Sequence, residues 1–172
     1  MGADQLTGIP GVLSRMDALL AAMPSDLTTQ RTFLSTYRRT TIAVGKRVEE
    51  GRFEDPAWVD RWDVAFADLY VSALEAHLAG GPVSRPWRQA FAAPAELPVL
   101  RLLLLGINAH INYDLPQALL AVISPEDFAK PALCSTIGVS ISPGRIAFTR
   151  TFRAAYSTAV VRVRWLIAAF EA

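Results

Sequence analysis

The chain has 172 residues, 52% of them apolar and 19% charged, which is enough length and apolar content to bury a core and excludes the charge-rich composition of unfolded chains. Lys and Arg exceed Asp and Glu by 17 to 16, so no overall field gathers nucleic acid or an anionic surface from a distance. Cys134 is the single cysteine, which rules out an internal disulfide and a Cys-rich zinc site of the finger type. It is expected to be an incidental thiol rather than a nucleophile, because no histidine lies near it in sequence.

The start, Met1-Gly2-Ala3-Asp4-Gln5, carries neither a basic n-region nor an apolar h-region, so the cytoplasm is the expected compartment. Two apolar stretches, Leu97 to Ile107 and Val160 to Phe170, are too short to span a bilayer and are broken by Arg101, Arg162 and Arg164, whereas a span needs about 20 nearly uncharged residues. Core helices are expected there.

In chain order, Val12 to Met23 predicts a short helix stopped by Pro24. Ser25 or Asp26 is placed to cap a longer helix from Leu27 to Glu50, with Phe33, Tyr37, Thr41, Val44 and Val48 at helical spacing and Gly51 closing it. Asp55 and Pro56 mark the cap and first position of a third helix, which runs to about Ala79 and ends at Gly80-Gly81-Pro82. Its stripe of Val59, Trp62, Phe66, Leu69, Ala73 and Ala76 is expected to face the core. A further short helix, Ser84 to Ala93, is anchored by Trp87 and Phe91 one turn apart.

From Leu97 the chain is almost wholly apolar up to Gly106, then polar, then meets Pro116. Gln117 to Ile123 continues beyond a kink, and Ser124-Pro125-Glu126-Asp127 has the form of a new helix start. Lys130 to Gly144 has no period and reads as loop. A last helix is expected over Arg145 to Phe170, its arginines 150, 153, 162 and 164 forming a solvated face. The sequence thus predicts an all-α fold: one domain over residues 1–172, a bundle of five to seven helices.

Three segments, Gly51-Arg52-Phe53-Glu54-Asp55-Pro56-Ala57-Trp58-Val59, Asp63-Val64-Ala65-Phe66-Ala67-Asp68-Leu69-Tyr70 and Leu104-Leu105-Gly106-Ile107-Asn108-Ala109-His110-Ile111-Asn112-Tyr113-Asp114-Leu115, occur in an order and spacing that resemble a family of mainly actinobacterial proteins catalogued as a domain of unknown function. The resemblance covers about Leu34 to Leu120. It implies an all-α fold and carries no established activity.

Between Ile107 and Leu115 apolar and polar residues alternate, which on periodicity alone is a half-buried strand. Helix is preferred, since ten Leu-rich residues lead into it and no partner strand is evident. In a helix His110 and Asp114 are one turn apart, as are Asn108 and Asn112, and the pairs are expected to flank a buried stripe of Leu104, Ile107, Ile111 and Leu115. Pro116 cannot donate to the Asn112 carbonyl and should kink the helix there.

An imidazole held by a carboxylate at one nitrogen offers the other to a substrate as general acid or base. His110 is therefore the candidate proton-transfer residue and Asp114 the residue that orients it, with Asn108 and Asn112 positioning substrate. Asp63 and Tyr70, polar on an otherwise apolar stripe, are candidates for the same interior. The expectation is a small-molecule enzyme of lyase, cyclase or hydrolase type, without a nucleotide cofactor and without a resident metal.

Two alternatives stand beside it. One is a noncatalytic helical module binding an apolar ligand or a partner helix, with the polar groups tying helices together. The other is a metal-dependent hydrolase in which His77, Asp63 and Tyr70 complete a site begun by His110 and Asp114. The partners expected are a small apolar or mixed-polarity molecule and a second copy of the chain in a homodimer, with no nucleic acid and no membrane span.

Overall fold

Seven α-helical segments follow one another in the computed structural model, which describes residues 7–128, 139–142 and 145–148. They are α1 (Gly8–Ala22), α2 (Thr28–Glu49), α3 (Pro56–Leu78), α4 (Arg85–Phe91), α5 (Val99–Ala109), α6 (Leu115–Val122) and α7 (Pro125–Phe128). A five-residue π-helical segment, His110–Asp114, joins α5 to α6 without a break. Contacts group the chain into two compact units, Met1–Val122 and Ile123–Ala172.

In the first unit the local signals act as the sequence suggests. Asp55 caps α3, its Oδ1 accepting the Trp58 N–H at 2.9 Å, with Pro56 at the first helical position. Such a cap satisfies one of the donors that a helix start leaves unpaired, worth about 1 kcal/mol. Gly51 and Gly80 close α2 and α3 at φ of 63° and 70°, a left-handed turn that glycine enters without a Cβ clash. The Arg52 N–H then returns to the Arg47 carbonyl and the Gly81 N–H to the Ala76 carbonyl.

The first two helices differ in detail from expectation. No Ser25 or Asp26 side chain caps α2; Leu27 precedes its first turn, and the Asp26 main-chain carbonyl accepts from Thr28. α1 starts four residues earlier than its apolar period predicts, because its caps come from other helices. Asp60 of α3 accepts the Ile9 N–H at 3.1 Å. At the far end Arg31 of α2 donates to the carbonyls of Leu20 and Met23 at 2.9 and 2.8 Å. The orphan groups of α1 are thus satisfied in space, which local sequence does not reveal.

α3 is the central element, packing against α1, α2 and α6, while α4 lies on α5. Its buried face is Asp63, Phe66, Ala67, Tyr70, Val71 and Leu74, which corrects the expected stripe: Phe66 is buried, while Val59, Trp62, Leu69, Ala73 and Ala76 are partly exposed. With Val12, Met16, Leu34 and Trp87 the buried apolar side chains of α3 form the core. Partly exposed ion pairs tie α1 to its neighbours, Arg15 to Asp68 and Glu75 of α3 and Arg38 of α2 to Asp17, and such pairs contribute little, about 0–1 kcal/mol each.

In the second unit α7 begins at Pro125, as its Ser-Pro signal predicts. Val139–Ser142 and Arg145–Phe148 then pair as an antiparallel hairpin, Ser142 opposite Arg145. This corrects two expectations, loop up to Gly144 and helix from Arg145. The β-branched Val139, Ile141 and Ile146 suit a pleated ladder better than a helix. Cys134 and the arginines at 150, 153, 162 and 164 lie outside the described residues, as does the rest of the expected last helix. The all-α fold stands, with this hairpin as the strand structure among the described residues. No helix among them is long and apolar enough to cross a membrane.

Candidate functional site

The α5 to α6 stretch approaches the core through its smallest residues. A Cβ built on Gly106 would stand 2.3 Å from the Phe33 ring, so only hydrogen fits and the helix backbone rests directly on that ring. Leu102, Leu103, Gly106, Ala109, His110 and Asp114 are buried, and so are Leu115 and Ala118. The stripe expected from hydrophobicity is therefore corrected: Leu104 is 50% exposed, Ile107 and Ile111 are partly exposed, and only Leu115 of that set is buried. Small size and specific partners, as well as the apolar Leu102, Leu103 and Leu115, make up the inward face.

Within this stretch the Leu115 N–H reaches back five residues to the His110 carbonyl, the longer bond of a π-helix. The proline explains the placement. Pro116 has no N–H for the Asn112 carbonyl and its ring crowds that position, which the wider π turn accommodates. One residue on, the Gln117 side-chain amide donates to the Tyr113 carbonyl at 2.8 Å.

His110 and Asp114 are 4% and 1% exposed. Asp114 Oδ2 accepts the indole N–H of Trp87 at 2.8 Å and lies 2.9 Å from His110 Nδ1. Trp87 can only donate, so Oδ2 is an acceptor, and the second contact assigns the proton to Nδ1. The imidazole is therefore held as the tautomer whose Nε2 carries a lone pair. Burial lowers the pKa of His110 despite the opposing effects of its hydrogen bond to Asp114 and that carboxylate's charge, so the ring is neutral near pH 7.

Around the imidazole stand aromatic rings from three other helices. His110 stacks on Phe66 at 3.7 Å between centroids with 6° between planes, and Trp58, Trp62 and Phe66 continue the same near-parallel column along α3. Tyr37 of α2 meets His110 at 4.6 Å, edge to face. Tyr70 and Trp87 each lie 6.0 Å from it and Phe33 lies 6.5 Å away.

Among the buried polar atoms with no hydrogen-bond partner are His110 Nε2 and, on two rings that face it, Tyr37 Oη and Tyr70 Oη; Asp63 Oδ2 and Trp62 Nε1 of α3 are others. Leaving such groups unpaired costs about 1–3 kcal/mol each. Burial, with a smaller contribution from Asp60, raises Asp63 to about 7. Burial also lifts both tyrosines well above their ordinary range, with the charges of Asp63 and Asp114 adding to the effect at Tyr37.

Of the residues singled out from sequence, the fold brings His110, Asp114, Asp63 and Tyr70 to one interior. Asn108 and Asn112 are not among them. Both are exposed, and the Asn112 amide donates to the Asn108 carbonyl oxygen at 2.8 Å. Two residues off in sequence is nearly half a turn of helix, which puts this pair on the opposite side from His110. His77 sits in the last turn of α3, stacked on Phe91 at 4.7 Å and 3.4 Å from the Gln30 amide. Among the described residues no three His, Cys, Asp or Glu side chains are placed to hold a metal ion.

Sequence reasoning used Tyr37 and Trp87 only as helix anchors. Their polar tips were the available signal: an interior tyrosine or tryptophan brings an O–H or N–H that needs a partner, and Asp114 is the buried acceptor that Trp87 finds. Away from His110, a small cavity of about 10 Å³ is lined by Thr29, Gln30, Phe33, Trp87, Phe91 and Gly106, large enough for little more than one water.

With this geometry in hand, comparison with known proteins yields one match. The model of DUF5995, described as a family of unknown function, covers residues 9–135. No curated protein and no solved structure matches the chain.

Proposed function

The chain belongs to that family of unknown function, and for it we propose a small-molecule enzyme working by acid–base chemistry at His110. The observation that carries this reading is the state of the imidazole: one nitrogen fixed on Asp114, the other presented as a buried, unpartnered lone pair. His110 is the proton-transfer residue, and Asp114, itself anchored by Trp87, positions it. Tyr37, Tyr70 and Asp63 are the polar groups that meet the substrate. Several titratable groups shifted in one enclosed place are the arrangement acid–base sites use, and a π-helical turn within a helix frequently accompanies such sites.

The enclosure of His110 favours a second reading, in which His110, Asp114 and Trp87 tie α4 to the π segment and the chain is a noncatalytic module. The two separate in one experiment. Nitrogen NMR of His110 is followed while small neutral molecules are added. The enzyme reading expects a ligand that moves the Nε2 resonance and whose binding is lost in His110→Gln. A silent Nε2 throughout, together with a His110→Phe variant as stable as the parent, leaves only the packing role.

A further inference from the structure

Resting on the acid–base reading above, we infer that the substrate is a neutral, enolisable carbonyl compound, its oxygen held by Tyr37, Tyr70 and Asp63 and its α-carbon facing His110 Nε2. The inventory of the enclosure points to this class. Its one basic atom is the imidazole lone pair, oriented by Asp114 and stacked on Phe66. Tyr37 and Tyr70 add two unpartnered phenols, and beside them on α3 are the unpartnered carboxyl of Asp63, whose charge reaches Tyr37, and the indole N–H of Trp62, stacked on Phe66. The phenols remain protonated at neutral pH, and a carboxyl raised to about 7 is a neutral O–H donor in about half of the molecules there.

A set of neutral donors beside a neutral base, walled by aromatic rings, complements a developing enolate. Neutral donors in an apolar site stabilise an oxyanion that forms during reaction more than the neutral carbonyl that precedes it. A tyrosine paired with a protonated aspartic acid is a known solution for this task. None of the side chains enclosing His110 is a cation, so a phosphate or carboxylate substrate finds no counter-charge there.

The step balances without an oxidant or co-reactant. The α C–H bond breaks, its proton goes to Nε2, and its electron pair forms the carbon–carbon double bond while the carbonyl π pair moves onto oxygen. The three donors hydrogen-bond that oxygen, and the Nδ1 proton stays with Asp114. When the Nε2 proton swaps with a solvent hydron before the enolate collapses onto the same carbon the net reaction is an exchange, and when Nε2 delivers it to a conjugated neighbour the net reaction is an isomerisation.

Two measurements on the whole chain test this. First, phenol, 4-chlorophenol and 4-nitrophenol, as enolate mimics of rising acidity, are titrated while the His110 nitrogens are observed, with cyclohexanol and benzoate as controls. Binding should tighten along the phenol series, by about tenfold from first to last, and exceed that of both controls. Second, uptake of deuterium from D2O at the α-carbon of 2-tetralone should exceed the buffer rate by about a hundredfold and vanish in His110→Gln. Asp63→Asn, whose amide also donates, should retain exchange. Asp63→Leu and Tyr37→Phe should each lose about tenfold.

Benzoate binding as tightly as 4-nitrophenol overturns the inference, since it means a site selective for charge. A His110 resonance that responds to cyclohexanol but not to phenols overturns the carbonyl class and leaves the acid–base reading intact. A resonance that responds to no probe, with no deuterium uptake, removes both.

Discussion

The two faces of the α5 to α6 stretch are both mixed in character. Facing inward, Gly106, Ala109, His110 and Asp114 lie among the buried Leu102, Leu103 and Leu115; facing outward are Leu100, Leu104, Leu105 and Leu120, the last 66% exposed, beside Asn108 and Asn112. The inward polar pair is tolerated because its partners are built in. Asp114 accepts from both Trp87 and His110, and a buried polar group with its hydrogen bonds made costs little. The outward asparagines pair with each other in solvent. Position alone, not residue type, decides which of the two pairs matters to the fold.

The contrast is broken most severely at Asp114. Asp114→Ala strands the Trp87 and His110 donors in the core, a loss of about 2–6 kcal/mol at 1–3 per donor, read as a fall in the urea midpoint of unfolding.

Asp63 gives the next largest effect. Its folded pKa is raised from 3.8 to about 7, so the folded state binds the extra proton and stability is greatest below about pH 4. It is lost as pH rises to about 7, on the order of 4 kcal/mol at 1.4 kcal/mol per unit. Asp63→Asn should remove this slope, and urea titrations at a series of pH values measure it. His110 acts with the opposite sign. Its lowered pKa means stability present above its ordinary value of 6.5 and lost as pH falls, so below the tyrosine range Asp63→Asn should leave a chain that weakens toward acid.

Gly106→Ala drives a methyl group against the Phe33 ring and should cost about 1–3 kcal/mol, seen as a lower thermal midpoint. The smallest effect belongs to the outward face, where Asn108→Ala with Asn112→Ala should change stability by about 0.5 kcal/mol or less. A double variant as damaging as Asp114→Ala would show the two faces to be equivalent.

Much of the frame was legible in advance. Caps and stops such as Asp55-Pro56 and Gly80-Gly81 act through neighbours a few residues away. The inward face of α3 was legible only in part, since of the expected stripe Phe66 alone is buried, although Asp63 and Tyr70 do lie on the buried face. The α1 boundaries were not legible, since Asp60 and Arg31 reach its ends from other helices. The inward face of α5 was misread for a related reason. Hydrophobicity ranks Leu104 above Gly106, while close packing against Phe33 demands the reverse. The hairpin at 139–148 was missed because two four-residue strands carry little periodic signal.

By itself the sequence determined the helical class, most helix ends and the presence of an imidazole one turn from a carboxylate, all of which follow from interactions spanning at most a few residues. The tertiary structure decided which polar side chains are brought together. Tyr37, Asp63, Tyr70, Trp87, His110 and Asp114 come from four elements, and whether a buried donor meets an acceptor or stays unpartnered depends on contacts between helices that no local pattern encodes.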